Sequence, residues 1–527
     1  MNLGALRSRH GLLAKGLGAL FLLMALGTWA VASPVGASPD EDYHLVSIWC
    51  GQGLRDGVCE AADIPQARTI PHALLESPCY NFHPETSAQC QAAKYAVDVQ
   101  EMVPTERGNF VGDYPPVFYA AMSVFVGDDI SLSVIVIRLV NALVFVLVLG
   151  AVYVASVPGL RRALLLGTAV TAVPLGMFLV PSANPSSWAI LAVPSLLVAV
   201  LGYVTTDERR RRWLLGGLAA LAVLLGAGAR GDAAMYCAVA VGAALILTFR
   251  PDLRFVHRAA YPVVLAVVSV AAFLSAGQSS AAGGAEAPPL TVGRIMELMT
   301  TVPELWVGGL GYWELGWLDT VMPPLVWVLC WGMYAAVVYA AIGYAGLQRG
   351  LAISAVALAL WLVPAYIQYL SGAPVGAYVQ PRYILPLVTL LAVTALVRLD
   401  GQAFRVSPAQ RWILVAALSV ANATALHTNI RRYVTGSDVG GPDLDERIEW
   451  WWGGPVSPLS LWFLGAVAFA VGLALVSAEL ARDALARGTA DEAPAEEAST
   501  QRPQPAGPAA HEADEDATVE PARTARG

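Results

Sequence analysis

Three consecutive carboxylates followed by an imidazole stand in the stretch SPDEDYH, residues 38–44. Carboxylates on such a short segment suit general-base catalysis, because a base must reach the proton that it removes. If the segment is helical, the i, i+3 spacing of Glu41 and His44 would also let them hold a divalent cation together with Asp40. A solvated helix start capped by Ser38 or Asp40 explains the same residues equally well.

Three arginines stand at the ends of apolar runs, a position that is costly for a charge in a membrane protein. They are Arg138 in IRLVN, Arg230 in ARGDAAMY and Arg382 in QPRYILP. A guanidinium fork matches the oxygens of a phosphate, so the three could clamp a phosphate or diphosphate group. Each of them taken alone could also simply extend its charged end to the membrane surface.

Two aromatic stretches could contribute to substrate binding. Residues 112–127, GDYPPVFYAAMSVFVG, place Asp113 before an apolar segment that is too short to span a bilayer, which predicts a helix lying in the membrane interface. Residues 301–320 carry Trp313 and Glu314, where an aromatic ring could stack on a sugar and a carboxylate could hold its hydroxyls. A belt of aromatic anchors at the membrane surface accounts for both stretches as well.

The elements that must position these residues are transmembrane helices. The chain has 527 residues, of which 56% are hydrophobic and only 14% are charged, whereas a soluble domain has about 25% charged residues. This composition predicts an all-α polytopic membrane protein, and the chain has no basic aromatic face of the kind that binds nucleic acid. About twelve apolar runs are long enough for spans, namely 11–33, 133–157, 163–181, 186–204, 213–229, 233–249, 259–276, 323–346, 351–370, 382–398, 412–428 and 457–478.

Arginine-rich short loops alternate along these runs and predict cytoplasmic N- and C-termini. The expected organisation is a first transmembrane helix or signal anchor (1–33), an extracytoplasmic loop with an interfacial helix (34–132), helices two to seven (133–276), an extracytoplasmic loop (277–322), helices eight to eleven (323–428), an extracytoplasmic loop (429–456), helix twelve (457–478) and a disordered acidic cytoplasmic tail (479–527). A cleaved signal peptide is the alternative for the first segment.

Four of the six cysteines lie in the first outer loop, at positions 50, 59, 79 and 90. On an oxidising face four cysteines predict two disulfides, for which three connectivities exist. We expect Cys50–Cys59 and Cys79–Cys90, because these pairs close the shortest loops. A zinc site is the alternative, although the spacings differ from those of common zinc motifs.

The order of four short motifs resembles one family of bacterial membrane proteins. PDEDYH, YPPVFY, IRLVN and PRYILP are similar to successive blocks of the family called domain of unknown function 2142, across roughly residues 10–430. That family resembles the GT-C class of glycosyltransferases, which are multi-span enzymes that use polyprenyl-phosphate sugars. Tyr114 departs from the histidine or glutamine expected before the paired prolines, which puts a role for that position in doubt.

The resemblance implies a membrane glycosyltransferase that moves a sugar from a polyprenyl-phosphate donor to a cell-envelope glycan, lipid or protein. In this reading Asp40 is the catalytic base, with Glu41 and Asp42 beside it. Arg138, Arg230 and Arg382 would bind the donor phosphate, while His44, Asp113, Trp313 and Glu314 would contact substrate. No cofactor is required, although a divalent cation could bind at Asp40, Glu41 and His44.

Two other functions remain open on the sequence alone. A transporter or flippase for a lipid-linked or polar solute predicts ionisable residues at mid-membrane depth and two related halves with broken helices. A non-catalytic envelope scaffold predicts that the acids of residues 40–42 tolerate substitution while the cysteines do not. All three functions place the protein in the cell membrane.

Overall fold

The structure is a computed structural model that is almost entirely helical. It describes residues 3–75, 77–95, 101–277, 289–343, 345–372, 375–376, 379–399, 404 and 406–497, with side chains between 13 and 478. Contacts divide the chain into Met1–Ala481 and Arg482–Gly527; apart from the end of the last helix, the features below belong to the first unit.

Helices make up most of this unit. They are α1 (Leu3–Val31), α2 (Glu41–Trp49), α3 (Val117–Met122), α4 (Ile130–Ala155), α5 (Pro158–Ala172), α6 (Leu175–Leu179), α7 (Ser186–Thr205), α8 (Arg209–Ala229), α9 (Gly231–Thr248), α10 (Leu253–Ser275), α11 (Val292–Thr301), α12 (Pro303–Val307), α13 (Pro324–Ile342), α14 (Leu347–Ser371), α15 (Pro381–Leu396), α16 (Pro408–Val434) and α17 (Pro458–Glu497). The expected all-α polytopic architecture is therefore confirmed.

Ten helices within the described residues are long and apolar enough to cross a membrane, two fewer than the twelve expected. The run 163–181 is not one helix: α5 ends at Ala172 and α6 begins at Leu175. Pro174 causes this break, because proline lacks the N–H that would continue the helical hydrogen bonds. The run 382–398 corresponds to α15, whose sixteen residues reach only about 24 Å, short of a bilayer core of about 30 Å.

Local sequence signals set the helix boundaries. Prolines occupy the first turn of α5, α12, α13, α15 and α16, where the missing N–H costs nothing. Asp129 caps α4 through the Leu132 N–H, and Ser407 forms a capping box with Gln410 at the start of α16. The last helix, α17, continues beyond its apolar span Pro458–Ala478 to Glu497, and residues 498–527 of the predicted tail lie outside the described residues.

The core is built around α7, which is buried along almost its whole length. It packs against α4, α8, α9 and α15. Small residues permit the close approach of the helices: the Cβ of any larger residue at Gly226 would lie 2.7 Å from the Cys237 sulfur and 3.2 Å from the Ala192 Cβ. This central packing holds the outer ends of α9 and α15, which carry Arg230 and Arg382.

The first outer loop is a small folded domain. Strands β1 (Glu60–Ala61), β2 (Arg68–Pro71) and β3 (Met102–Thr105) form an antiparallel sheet in the order β1-β2-β3. Both expected disulfides are present, Cys50–Cys59 and Cys79–Cys90. The two disulfides anchor the loop on either side of β1 and β2.

The aromatic stretch after the paired prolines, predicted to be an interfacial helix, forms α3. Phe118, Tyr119 and Met122 are buried, and α3 packs against α2 and α8. A short apolar aromatic helix has the same pattern whether it covers a membrane or a protein core, so the sequence did not distinguish the two.

The loop between α12 and α13 is fixed to the disulfide-linked domain around a buried ion pair between Asp319 and Arg432 of α16. Asp319 accepts a hydrogen bond of 2.9 Å from Arg432 in α16 and another of 3.2 Å from the Phe82 N–H. Arg432 also donates to the carbonyls of Tyr80 and Thr86. The loop that carries Trp313 and Glu314 therefore has a defined position relative to the disulfide-linked domain.

We expect that removing the Cys79–Cys90 disulfide lowers stability by about 3 kcal/mol, because the bond restricts the unfolded chain over a separation of 11 residues. The measurement is the apparent Tm of purified Cys79→Ser/Cys90→Ser protein with and without reductant. Wild type loses stability on reduction, and the variant loses only the part that comes from Cys50–Cys59. An equal Tm for oxidised wild type and variant would contradict this account.

Candidate functional site at the outer ends of the helices

Asp40 stands immediately before α2 in a left-handed backbone conformation, with φ 56° and ψ 21°. Residues other than glycine adopt this conformation uncommonly, although asparagine and aspartate do so more often than most. Asn184, in the turn between α6 and α7, donates a hydrogen bond of 2.8 Å to the Pro39 carbonyl. The Asp40 carboxylate makes no capping hydrogen bond to α2, so it faces a different partner.

That partner is Arg382, whose Nη2 donates to Asp40 Oδ2. The Arg382 side chain is 4% exposed and that of Asp40 is 37% exposed. Arg382 Nη2 also lies 2.7 Å from the Tyr383 hydroxyl, while its Nε and Nη1 are buried without a hydrogen-bond partner. The guanidinium therefore retains donors that an anion could use.

Arg230 also lies against the Tyr383 ring. Its guanidinium carbon is 4.5 Å from the ring centroid, and that of Arg382 is 4.7 Å away. Arg230 is paired with Asp232 at 2.8 Å and also lies over the ring of Tyr114. Two of the three predicted phosphate ligands are thus brought together with the predicted base.

Three helix N-termini meet at this point. Asp40 precedes α2, Arg230 precedes α9 and Arg382 is the second residue of α15. Unpaired backbone N–H groups give a helix N-terminus a partial positive charge of about half a unit. Together with the two arginines, these termini favour the binding of an anion.

Glu41 and Arg138 form a pair of their own. The Arg138 Nη2 lies 3.0 Å from Glu41 Oε2, and the two side chains are 2% and 0% exposed. Arg138 also donates to the carbonyls of Ala30, Ser33 and Pro34 at the end of α1. These contacts use both side chains to join α1, α2 and α4. Neither side chain takes part in the Asp40–Arg382 contact.

Asp42 is likewise occupied. Arg107 donates to both of its carboxylate oxygens, at 2.7 and 2.9 Å, and the Ser77 hydroxyl donates at 2.9 Å. The burial of Asp42 and this bidentate geometry indicate that it fastens the disulfide-linked domain to α2. Arg107 was not foreseen from the sequence, because no spacing signal connects it to Asp42.

His44 is buried and faces tyrosines. Its Nδ1 lies 2.9 Å from the Tyr119 hydroxyl, and the rings of Tyr43 and Tyr114 pack against it. Burial, together with the charges of Arg230 and Arg382, holds the pKa of His44 well below its usual value. The imidazole is therefore neutral and acts as a structural hydrogen-bonding group beneath the site.

The predicted cation ligands do not converge. Asp40 contacts Arg382, Glu41 contacts Arg138 and His44 contacts Tyr119. Asp113, another predicted substrate ligand, lies 3.4 Å from the Tyr43 hydroxyl at the edge of the same aromatic group. Within the part of the chain that the structure describes, no three histidine, cysteine or carboxylate side chains are arranged to hold a metal ion.

A cleft opens beside Arg382. It is lined by Pro39, Gln380, Trp313 and Glu314, together with the turn at residues 315–318. Trp313 is closely packed there, because a Cβ at Gly308 or Gly376 would clash with its ring at 2.9 or 2.0 Å. The two residues predicted to contact substrate therefore share a cleft with the arginine that contacts Asp40.

Tyr383 and Asn184 are the residues that sequence reasoning missed. Tyr383 follows the arginine in the PRYILP motif, which is the signal that could have identified it. Asn184 follows a buried helix in PSANPSS and gives no comparable signal.

The model of a family described as predicted membrane protein, DUF2142, matches residues 21–391, a range that includes Asp40, Arg230 and Arg382. Among solved structures, the chain is similar to the crystal structure of ArnT from Cupriavidus metallidurans bound to undecaprenyl phosphate, with 14% identity and a TM-score of 0.37 over 88% of this chain and 77% of that chain. No residue role is transferred from so distant a likeness. No curated protein matches the chain.

We expect Glu41→Gln to lower stability by about 3–5 kcal/mol, because the change leaves the buried Arg138 charge without its partner. The measurement is the apparent Tm in detergent, with Glu449→Gln as a control that removes an exposed acid from an outer loop. Exposed substitutions of this kind usually change stability by less than about 0.5 kcal/mol. Equal Tm values for the two variants would refute a structural role for the pair.

We also expect His44 to make the protein less stable as the pH falls. The unfolded chain binds a proton at His44 below its ordinary pKa of about 6.5, whereas the lowered pKa keeps the folded form unprotonated. Acid therefore favours unfolding, by up to about 1.4 kcal/mol per pH unit below about 6.5.

The measurement is the apparent Tm between pH 5 and 7.5 for wild type, His44→Gln and His83→Gln, the last of which alters an exposed histidine. The pH dependence should be reduced in His44→Gln and unchanged in His83→Gln. Parallel curves for all three proteins would rule out this linkage.

Proposed function

The chain belongs to the DUF2142 family of predicted membrane proteins, and from that premise we propose that it is a membrane glycosyltransferase. It transfers a sugar from a polyprenyl-phosphate donor to a cell-envelope glycan, lipid or protein. The observation that carries the proposal is the contact between Asp40 and Arg382, with Arg230 against the same Tyr383 ring. A base and an anion-binding group thus lie side by side at the ends of membrane helices.

The donor phosphate binds to Arg382 and Arg230. The Nε and Nη1 of Arg382 are buried without partners, and the N-termini of α9 and α15 add positive potential. A phosphate held in a site of low dielectric interacts with these donors more strongly than it would in water. Arg138 is not part of this site in the proposal, because Glu41 and three carbonyls occupy it.

Donor binding also prepares the base. While Arg382 Nη2 donates to Asp40 Oδ2, that carboxylate oxygen is not free to accept a hydrogen bond from an acceptor hydroxyl. When the phosphate takes the guanidinium of Arg382, Asp40 is released toward the cleft. The left-handed backbone at Asp40 keeps the carboxylate from turning back to cap α2.

The reaction then proceeds by direct displacement. The acceptor hydroxyl loses its proton to Asp40 while its oxygen forms a bond to the anomeric carbon of the donor sugar. The bond from that carbon to the phosphate oxygen breaks, and the electron pair leaves on the lipid phosphate, where Arg382 and Arg230 stabilise the added charge. Attack from the face opposite the phosphate inverts the anomeric configuration.

The sugar or acceptor occupies the cleft beside Arg382. The Trp313 ring can stack on a sugar face, and the Glu314 and Gln380 side chains can accept or donate hydrogen bonds to hydroxyls. Asp113 lies at the edge of the tyrosine group next to the site. We assign it to acceptor binding, with a less direct contact to the acceptor than the residues of the cleft have. The two arginines supply the charge stabilisation, so the reaction as written includes no metal ion.

The reaction takes place at the outer face of the cell membrane, with both termini cytoplasmic. This orientation follows from the arginine-rich loops, which by the positive-inside rule stay on the cytoplasmic side. Arg209–Arg212 at the start of α8 and Arg254 and Arg258 near the start of α10 lie at the helix ends that adjoin such loops. Asp40, Arg230 and Arg382 stand at the opposite ends of the helices, and the disulfides agree with an oxidising face.

We expect Asp40→Asn to reduce sugar transfer by about 10²- to 10⁴-fold, the range for loss of a general base. Arg382→Gln should reduce transfer by about 10²- to 10³-fold through loss of charge stabilisation. The assay measures transfer of radiolabel from a panel of polyprenyl-phosphate sugars by protein purified in nanodiscs. Glu449→Gln is the control, since it removes an exposed outer acid without touching the site.

Transfer that survives both site substitutions in folded protein would refute the assignment of the base and the phosphate ligand. Absence of transfer with every donor, combined with tight donor binding that Arg382→Gln abolishes, would favour transport or recognition over catalysis.

A further inference from the structure

Phe82, in the disulfide-linked domain, has a backbone conformation that phenylalanine rarely adopts. Its φ is 62°, in the left-handed region, and the residue is 67% exposed. A bulky residue in this region is strained, and such strain persists only where the surroundings impose it. Because the side chain is exposed, burial of its apolar surface does not offset the strain.

The surroundings hold the backbone on both sides of Phe82. Asp319 accepts a hydrogen bond of 3.2 Å from the Phe82 N–H. Arg432 donates to two carbonyls of the same loop, one before Phe82 and one after it. The Ser437 N–H donates to the Pro84 carbonyl at 2.8 Å, and a disulfide closes the loop. The phenylalanine is therefore presented to solvent by a rigid loop.

A second aromatic ring lies beside Phe82. The ring centroids of Phe82 and Trp317 are 5.9 Å apart, with the ring planes at 74°. The Trp317 Nε1 donates a hydrogen bond of 2.8 Å to the Gly36 carbonyl. Gly36 has a φ of 86°, and a Cβ there would lie 2.3 Å from the Pro78 side chain, so only glycine fits at this position. Backbone contacts thus fix both members of the aromatic pair.

The aromatic pair adjoins the polar cleft of the candidate site. Gly316 and Leu318, on either side of Trp317, both line the cleft. The next residue, Asp319, is the one that holds the Phe82 backbone. Since consecutive Cα atoms are about 3.8 Å apart, Trp317 lies next to the cleft wall. A ligand that extends out of the cleft past this turn meets the two rings.

The neighbours of Phe82 fit a carbohydrate better than a membrane. His83 and Glu85 are exposed, at 63% and 58%, and their side chains lie 3.6 Å apart. A Phe82 ring inserted into a bilayer would bring these polar groups toward the hydrocarbon, which is costly. A sugar instead presents apolar C–H groups to an aromatic face and hydroxyls to polar neighbours.

From these observations we infer that Phe82 and Trp317 bind a sugar unit of a glycan acceptor whose reacting end lies in the cleft. The inference rests on the proposed function for the role of the cleft. It narrows the acceptor from a glycan, lipid or protein to a glycan. It also gives a reason for an exposed phenylalanine at a position whose backbone suits asparagine better.

The test uses Phe82→Asn, which removes the ring but suits the left-handed backbone, so the apparent Tm should stay equal or rise. Ligand-observed NMR measures the Kd of six-unit oligosaccharides of glucose, mannose, galactose, arabinose and N-acetylglucosamine for protein in nanodiscs. The oligosaccharide that wild type binds best should bind Phe82→Asn about ten-fold more weakly, the loss expected when a contact ring is truncated. Phe82→Tyr retains the ring and should retain the affinity.

Leu54→Asn is the matched control, because it removes another exposed apolar side chain of the same outer loop. It should bind the oligosaccharide as wild type does. A folded Phe82→Asn protein with wild-type affinity would overturn the inference. Failure of wild type to bind any of the five oligosaccharides would overturn it as well.

A second measurement covers the case in which Phe82→Asn does not fold. 4-Fluorophenylalanine is placed at position 82 of otherwise wild-type protein, and its fluorine resonance is recorded. A shift of that resonance on addition of oligosaccharide supports the inference. Broadening by nitroxide-labelled lipid without a shift on addition of oligosaccharide would assign the ring to the membrane and overturn it.

These outcomes are separable from those of the transfer assay. The binding measurements contain no donor, so a protein without transferase activity still gives a result. Transfer that requires Asp40 and Arg382, together with oligosaccharide binding that is insensitive to Phe82→Asn, would leave the proposed function in place and remove only the site at Phe82. Binding that requires Phe82 in a protein without transfer would support the glycan site and count against the transferase.

Discussion

Three adjacent carboxylates repel one another strongly, and the outer part of this protein depends on how that repulsion is relieved. Each of them has its own arginine: Asp40 pairs with Arg382, Glu41 with Arg138 and Asp42 with Arg107. The partners are 342, 97 and 65 residues away in sequence. The first turn of α2 thereby joins α15, α4 and the disulfide-linked domain, and the geometry of the site follows from that junction.

The three pairs differ in exposure, and the difference separates structural from chemical roles. Glu41 and Arg138 are wholly buried, and Arg138 also donates to three backbone carbonyls. Removing either partner would therefore leave an unpaired charge in a dry environment. Asp40 is the exposed member, and its arginine retains unused donors. If this pair opens for a ligand, the contacts of Glu41 and Asp42 still hold α2 to α4 and to the disulfide-linked domain.

Much of this arrangement could be predicted from the sequence, because it depends on local pattern. Apolar length identified ten of the spans and short loop closure identified both disulfides. Motif order pointed to Asp40 and Arg382, and the position of Arg230 at the end of an apolar run pointed to Arg230. The partners of Glu41 and Asp42 could not be predicted, since an ion pair over 97 or 65 residues has no local signature. The break at Pro174 could not be predicted with certainty either, because Pro194 and Pro364 lie inside continuous helices while α5 ends at Ala172.

The balance of charges at the site bears on the order in which ligands bind in the proposed reaction. Asp232 neutralises Arg230 and Asp40 neutralises Arg382, yet the N-termini of α2, α9 and α15 leave the site with excess positive potential. An anion that enters restores the balance and competes with Asp40 for Arg382. In the proposed reaction the carboxylate loses its arginine partner only when a phosphate is present. The proposal therefore orders the substrates, with donor before acceptor, because only the donor carries the phosphate that displaces Asp40 from Arg382.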